Sequence, residues 1–226
     1  MPDTKTKKPK SPDRTNNLLH GGKQGATCPR CKNPRYKGHD VPQLTESDEL
    51  RRVLGTVVAA LRQDTSVTTK AFMIGALEAR INNKQYRLVA SSGRQETPWV
   101  TKAHIPSGWK IVEPALPNDR TGWWNIRGDR VDFPEMAGVT RPCAAMKLLL
   151  GLAREIPKWG SVQHVFLAEE YFKGKAYVPD PRNPEPRQWR GKGDLCSYTA
   201  ESCDQCEARI PYLICDVPAN AVPDPD

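Results

Sequence analysis

The chain has no apolar run approaching 18 residues, which excludes a helix long enough to cross a bilayer. It also has no apolar core after the lysines of MPDTKTKKPKSPDRTNN, so no classical signal peptide is expected. The reading is a cytoplasmic protein, or one delivered by a specialised secretion system that leaves no such mark. Hydrophobic residues are scarce, at 38% of 226, against 21 prolines and 16 glycines, so long loops are expected around one sizeable core. Complete disulfide pairing within the chain is excluded because there are seven cysteines, and two CxxC pairs among them fit metal binding better. The net charge of +8 and a pI near 9.2 permit a polyanionic partner without specifying one.

Residues 1–27 carry six lysines and arginines against two aspartates and little to bury, so they are read as a basic disordered tail that includes His20. Residues 28–42 are a candidate zinc knuckle or linker, in which CPRCKNPRYKGH offers Cys28, Cys31 and His39 without a local fourth ligand. The stretch TESDELRRVLGTVVAALRQ predicts a helix capped by Thr45 or Ser47, with Leu50, Val53, Leu54, Val57, Val58 and Leu61 on one face. The runs KAFMIGALEA and KQYRLVASSG, separated by Asn82 and Asn83, predict a hairpin.

From Ser91 to Gly138 the chain is rich in glycine, proline and tryptophan. Trp109, Trp123 and Trp124, with Arg120, Arg127 and Arg130, suit base stacking and phosphate contact if exposed; the alternative is an aromatic plug that keeps a long excursion folded. RPCAAMKLLLGLARE predicts a central helix opened by Pro142, followed by a strand from Val162 to Glu169. SCDQCEARI offers one to two helical turns before Pro211, and PYLICDV a last strand. Residues 218–226 form a C-terminal tail. The order of helix, hairpin, helix, strand, helix and strand predicts an α/β sandwich.

Cys203 and Cys206 can present two thiolates from the first turn of one helix, and Cys143 a third from the start of the central helix. Such a set leaves a fourth position on zinc for water. Other readings stay open: Cys143 as a small buried hydrophobe, and Cys203 with Cys206 as a redox pair or part of a four-cysteine structural site. Cys28, Cys31, Cys196 and Cys215 form a candidate second metal site. His104 and His164 are read as structural.

The pattern PCAAM…SCDQC resembles the signature of zinc-dependent cytidine-deaminase-like enzymes, in which a histidine or cysteine is followed two residues later by glutamate and a distant PCxxC completes the ligands. The similarity covers roughly residues 43–217 and looks like the divergent bacterial polymorphic-toxin branch or its fungal relatives. It implies a cytidine-deaminase-like α/β/α sandwich with a central mixed sheet and long loop insertions. It also implies Zn2+ held by Cys143, Cys203 and Cys206, a nucleic acid or nucleotide substrate, and an immunity protein as partner if the chain is a toxin; Trp123, Trp124 and Arg127 of the long loop are the candidate substrate-binding residues. No membrane-spanning partner is implied. Two positions depart from the pattern: Ser202 replaces the usual proline, and Ala145 stands where the proton-shuttling glutamate is expected. The alanine has three readings. We favour an inactive, engineered Glu-to-Ala form; the others are a natural pseudoenzyme and a relocated acid such as Glu169, Glu170 or Glu207. The expected function is hydrolytic deamination of a nucleobase, cytosine preferred, and the alternative is a noncatalytic zinc-stabilised module that binds nucleic acid or protein.

Overall fold

In the computed structural model, the described residues are 19–22, 27–28, 43–93, 99–112, 123–126, 130–131, 139, 142–156, 161–182, 197–199 and 202–215. A short strand, β1 (Leu19–Gly21), pairs antiparallel with β2 (Gln43–Thr45). This corrects the reading of His20 as part of a tail: its side chain is fully buried. Nothing near it in sequence signals that burial, because its partners lie on other elements.

Helix α1 (Asp48–Gln63) starts from its own sequence. Ser47 adopts an extended cap conformation and its hydroxyl accepts the Leu50 amide at 3.3 Å, while Asp48 and Glu49 place negative charge in the first turn. Thr45, the other expected cap, belongs to β2. The six apolar positions predicted for one face are all buried.

Strands β3 (Ala71–Ile81) and β4 (Lys84–Ser91) form the expected hairpin, with Asn82 and Asn83 at φ 54° and 63°, as a tight primed turn requires. A two-residue strand, β5 (Lys110–Ile111), runs parallel to β4. Strands β6 (Trp123–Trp124) and β7 (Arg130–Val131) make a separate antiparallel ribbon. Helix α2 (Ala144–Glu155) is buried along residues 144–153, so it is a central helix with almost no solvent face. Strand β8 (Val162–Lys173) pairs antiparallel with β3 and runs past the expected end at Glu169. Strand β9 (Ser197–Thr199) pairs with β8, and helix α3 (Asp204–Ile214) closes the described chain.

The main sheet has the order β5-β4-β3-β8-β9 and is mixed, since β4 and β5 are parallel and the other pairs antiparallel. Alternation along β3 sends its side chains to two cores. Ile74 and Ala76 pack with α1 residues, whereas Leu77 and Ala79 pack with residues of α2 and α3. The result is a mixed α/β architecture with helices on both sheet faces. Gly75 brings α2 unusually close to the sheet: a Cβ there would lie 2.7 Å from Leu148 Cδ1 and 3.1 Å from Ala144 Cβ.

Over residues 211–214 the strand expected at PYLICDV is replaced by helix, and residues 216–217 lie outside the described residues. Helix α3 continues through Pro211, which forgoes one backbone hydrogen bond. That loss is offset by burying Pro211, Tyr212, Leu213 and Ile214, several of them in the core shared with α2, and the Leu213 carbonyl accepts the Ile126 amide at 3.0 Å. The strand role passes to β9, upstream of the cysteine pair. Among the described residues, no helix is long and apolar enough to cross a membrane.

Candidate metal centre

Two helices begin with cysteine. Cys143 is the N-cap of α2 and Cys203 the N-cap of α3, each in extended conformation, and the Cys143 side chain makes no capping bond to its helix. Both thiols turn instead toward each other, with sulfurs 3.3 Å apart, and Cys206 joins from the first turn of α3. The three sulfurs lie within 4.8 Å of one another and form no disulfide. Zinc–sulfur bonds of about 2.3 Å at tetrahedral angles place thiolates roughly 3.8 Å apart, so one small ion fits this group. Three soft sulfur donors also match the chemistry of such an ion. Cys206 is buried, Cys143 half-buried and Cys203 exposed, so the group opens to solvent on the Cys203 side.

The thiols do not ionise alike. Cys203 is held well below its ordinary value by hydrogen bonding with Cys143 and Cys206 and, to a lesser degree, by the amides of Cys206 and Gln205 at the start of α3. Cys143 and Cys206 are pushed up, chiefly by sharing protons within the group, then by burial and the nearby Glu169 charge. One thiolate therefore forms readily, and a cation is needed to hold all three.

Beside the thiols lies a buried row of charges. Because the Cys143 side chain is committed elsewhere, the amide of Ala145 finds another acceptor: it donates to Glu169 Oε1 on β8 at 3.1 Å. Glu169 Oε2 is 3.7 Å from His20 Nδ1, His20 Nε2 is 3.2 Å from Glu46 Oε1, and Arg51 Nε donates to Glu46 Oε2 at 3.1 Å. The side chains of His20, Glu46 and Glu169 are at most 2% exposed, so these charges survive only as alternating pairs. Burial alone would push His20 down, but the contacts with Glu169 and Glu46 outweigh it and raise the imidazole to about 9. Lys147, one turn beyond Cys143, is also buried; its ammonium donates to the Ser91 carbonyl at 2.6 Å, and burial lowers it to about 8.

The structure brings Cys143, Cys203 and Cys206 together and places Ala145, with no exposed surface, at the second position of α2. It divides the expected substrate residues. Trp123 packs into the core under α2, which corrects its reading as a stacking residue, and Trp109 is buried in the core on the α1 side. Trp124 faces outward at 37% exposure, paired in register with exposed Arg130. Arg120 and Arg127 lie outside the described residues. Of the candidate second site, Cys28 and Cys215 meet with sulfurs 3.8 Å apart, both fully buried, and Cys31 and Cys196 lie outside the described residues, as does His39. His104 is structural as expected: it accepts the Thr101 amide at 3.0 Å and lies 3.1 Å from Asp64. His164 is half-buried on β8 against Phe166.

Sequence reasoning missed His20, Glu46 and Lys147. A lysine within an almost wholly apolar helical segment was the one available signal, whereas His20 and Glu46 are brought in by tertiary pairing. A cleft of about 880 Å3 lies near the other end of α2, lined by Trp109, Lys110, Gly151 and Arg154 among others, and is distinct from the thiol group. No family model, no curated protein and no solved structure matches this chain.

Proposed function

We propose that the chain is a zinc-dependent hydrolytic deaminase of a nucleobase, acting on cytosine in single-stranded nucleic acid or in a nucleotide. The observation that carries this reading is the thiol triad at the starts of two helices, open to solvent on one side and flanked by a buried carboxylate. Zinc, when bound, supplies Lewis-acid activation of water. Cys143, Cys203 and Cys206 would hold it, with Cys203 the first to ionise. Trp124 and Arg130, side by side on the β6–β7 ribbon, offer a stacking face and a cation for a strand's base and phosphate. That ribbon packs against α2 through Trp123, on the face opposite Trp124 and Arg130.

Ala145 favours a second reading. A fully buried alanine puts no acid on α2 beside the thiols, as suits an inactive Glu-to-Ala form or a zinc-stabilised binding module. One experiment separates the readings. Zinc-loaded protein, unaltered and as Ala145→Glu, is incubated with cytosine- and adenine-containing single-stranded DNA, RNA, nucleosides and nucleotides, and products are followed by their mass gain of about one dalton. Product from either form supports the deaminase; product from neither, with folded and loaded protein, leaves the binding module.

A further inference from the structure

We infer that Glu169, on the strand facing α2, is the general acid–base carboxylate of this centre and takes the part that residue 145 does not supply. The inference rests on the deaminase reading above and names a catalytic residue within it. Glu169 is registered opposite Gly75, the position where α2 comes closest to the sheet, so its side chain projects into the layer where α2 begins. There its Oε1 accepts the amide of the very residue whose side chain is missing, two positions from Cys143.

The other two acids weighed for this part are turned elsewhere. Glu170 alternates to the opposite sheet face, registered with Ile74 of the α1 core, and Glu207 is half-exposed on α3. Glu169 is also held as a working carboxylate must be. One oxygen is fixed by the Ala145 amide, and the other faces His20, itself fixed by Glu46 and Arg51. A helix cap needs one acceptor; a buried histidine and glutamate, with the partly exposed Arg51 behind them, are more than capping requires.

In the proposed step, Glu169 takes a proton from the attacking water as the C–O bond forms at the amine-bearing ring carbon, and delivers it to the adjacent ring nitrogen. It then takes the remaining hydroxyl proton and passes it to the amine as the C–N bond breaks. Ammonia leaves, the carbon becomes a carbonyl, and the carboxylate is regenerated; water is the only co-reactant.

The test compares unaltered protein with Glu169→Gln, Glu169→Asp and Ala145→Glu, all loaded with zinc and assayed on the substrate panel above. Glutamine can still accept the Ala145 amide, so the helix start is kept while proton transfer is lost. Product from the unaltered chain, falling by roughly 100-fold or more in Glu169→Gln at equal zinc content, is the expected result. Glu169→Asp, which keeps a carboxylate if the glutamine variant fails to fold, retains part of the rate. Equal turnover by the unaltered and Glu169→Gln proteins would overturn the inference while leaving the deaminase reading intact. So would an inactive unaltered chain revived by Ala145→Glu. If no form makes product, the deaminase reading fails, and the visible bands of Co2+-loaded protein judge Glu169 separately. Bands whose pH dependence is altered in Glu169→Gln place the carboxylate against the metal's open side; identical bands reduce it to a helix cap and reject the inference.

Discussion

The starts of α1 and α2 are built by opposite means. At α1 everything needed is local: Ser47 accepts the Leu50 amide, two acids follow at once, and the apolar face begins at Leu50. At α2 the cap residue is a cysteine that makes no capping bond, no acid stands in the first turn, and the acceptor for the Ala145 amide arrives from β8. A locally completed start can serve as scaffold alone. A start whose own side chain is turned to other work must import its partners, and the import brings buried charge to one place. The contrast separates the element that supports the fold from the element around which thiols and buried charges gather.

The largest way to break this contrast is to remove a thiol. Apparent metal binding worth about 10–16 kcal/mol at thiolate zinc sites compares with the roughly 5–15 kcal/mol that keeps a domain folded. Cys206→Ser is therefore expected to lose the metal and much of the folded population, seen by elemental analysis and by a melting curve that no longer responds to chelator. Next comes Glu169→Ala, which uncaps α2 and strips His20 of one of its two buried partners. Urea denaturation should show a loss of about 3–5 kcal/mol.

A pH series sharpens the same comparison. The folded His20 value of about 9 lies above its ordinary 6.5, so its stabilisation is complete below about pH 6.5 and is lost as pH rises through 9. The loss amounts to roughly 3 kcal/mol, and His20→Gln should flatten that part of the stability profile. The smallest effect belongs to the self-sufficient helix: Ser47→Ala should cost about 1 kcal/mol, measured by the same denaturation, and leave metal content unchanged. If Ser47→Ala proved as damaging as Glu169→Ala, the distinction between the two starts would collapse.

What could be seen in the sequence follows the same division. Helix α1 and the Asn82–Asn83 hairpin were legible because periodicity, caps and turn chemistry sit within a few neighbouring residues. The thiol group was legible through a close CxxC and a cysteine opening an apolar helix, and the structure does bring the three together. His20 was not legible, because its two carboxylate partners reach it only once β1, β2 and β8 are assembled. Pro211 misled for a related reason: the local rule ends a helix there, and burial against α2 overrides it. Trp123 and Trp124 are chemically the same residue type in one short strand, and only the packing of that strand under α2 decides which is core and which is surface.

Gly75 carries a consequence for how this centre can change. With no side chain of its own, it acts as a spacer of zero thickness between the sheet and α2, directly opposite Glu169. A methyl group there would lie 2.7 Å from Leu148 Cδ1 and 3.1 Å from Ala144 Cβ, so Leu148 would have to turn its tip aside and the start of α2 give by a few tenths of an ångström, at the end of the helix where the Ala145 amide meets Glu169. The tolerance of the whole constellation is thus set by an atom that is not there. Leu148, whose Cδ1 is the nearest atom to that position, becomes the natural place for compensating changes whenever position 75 varies.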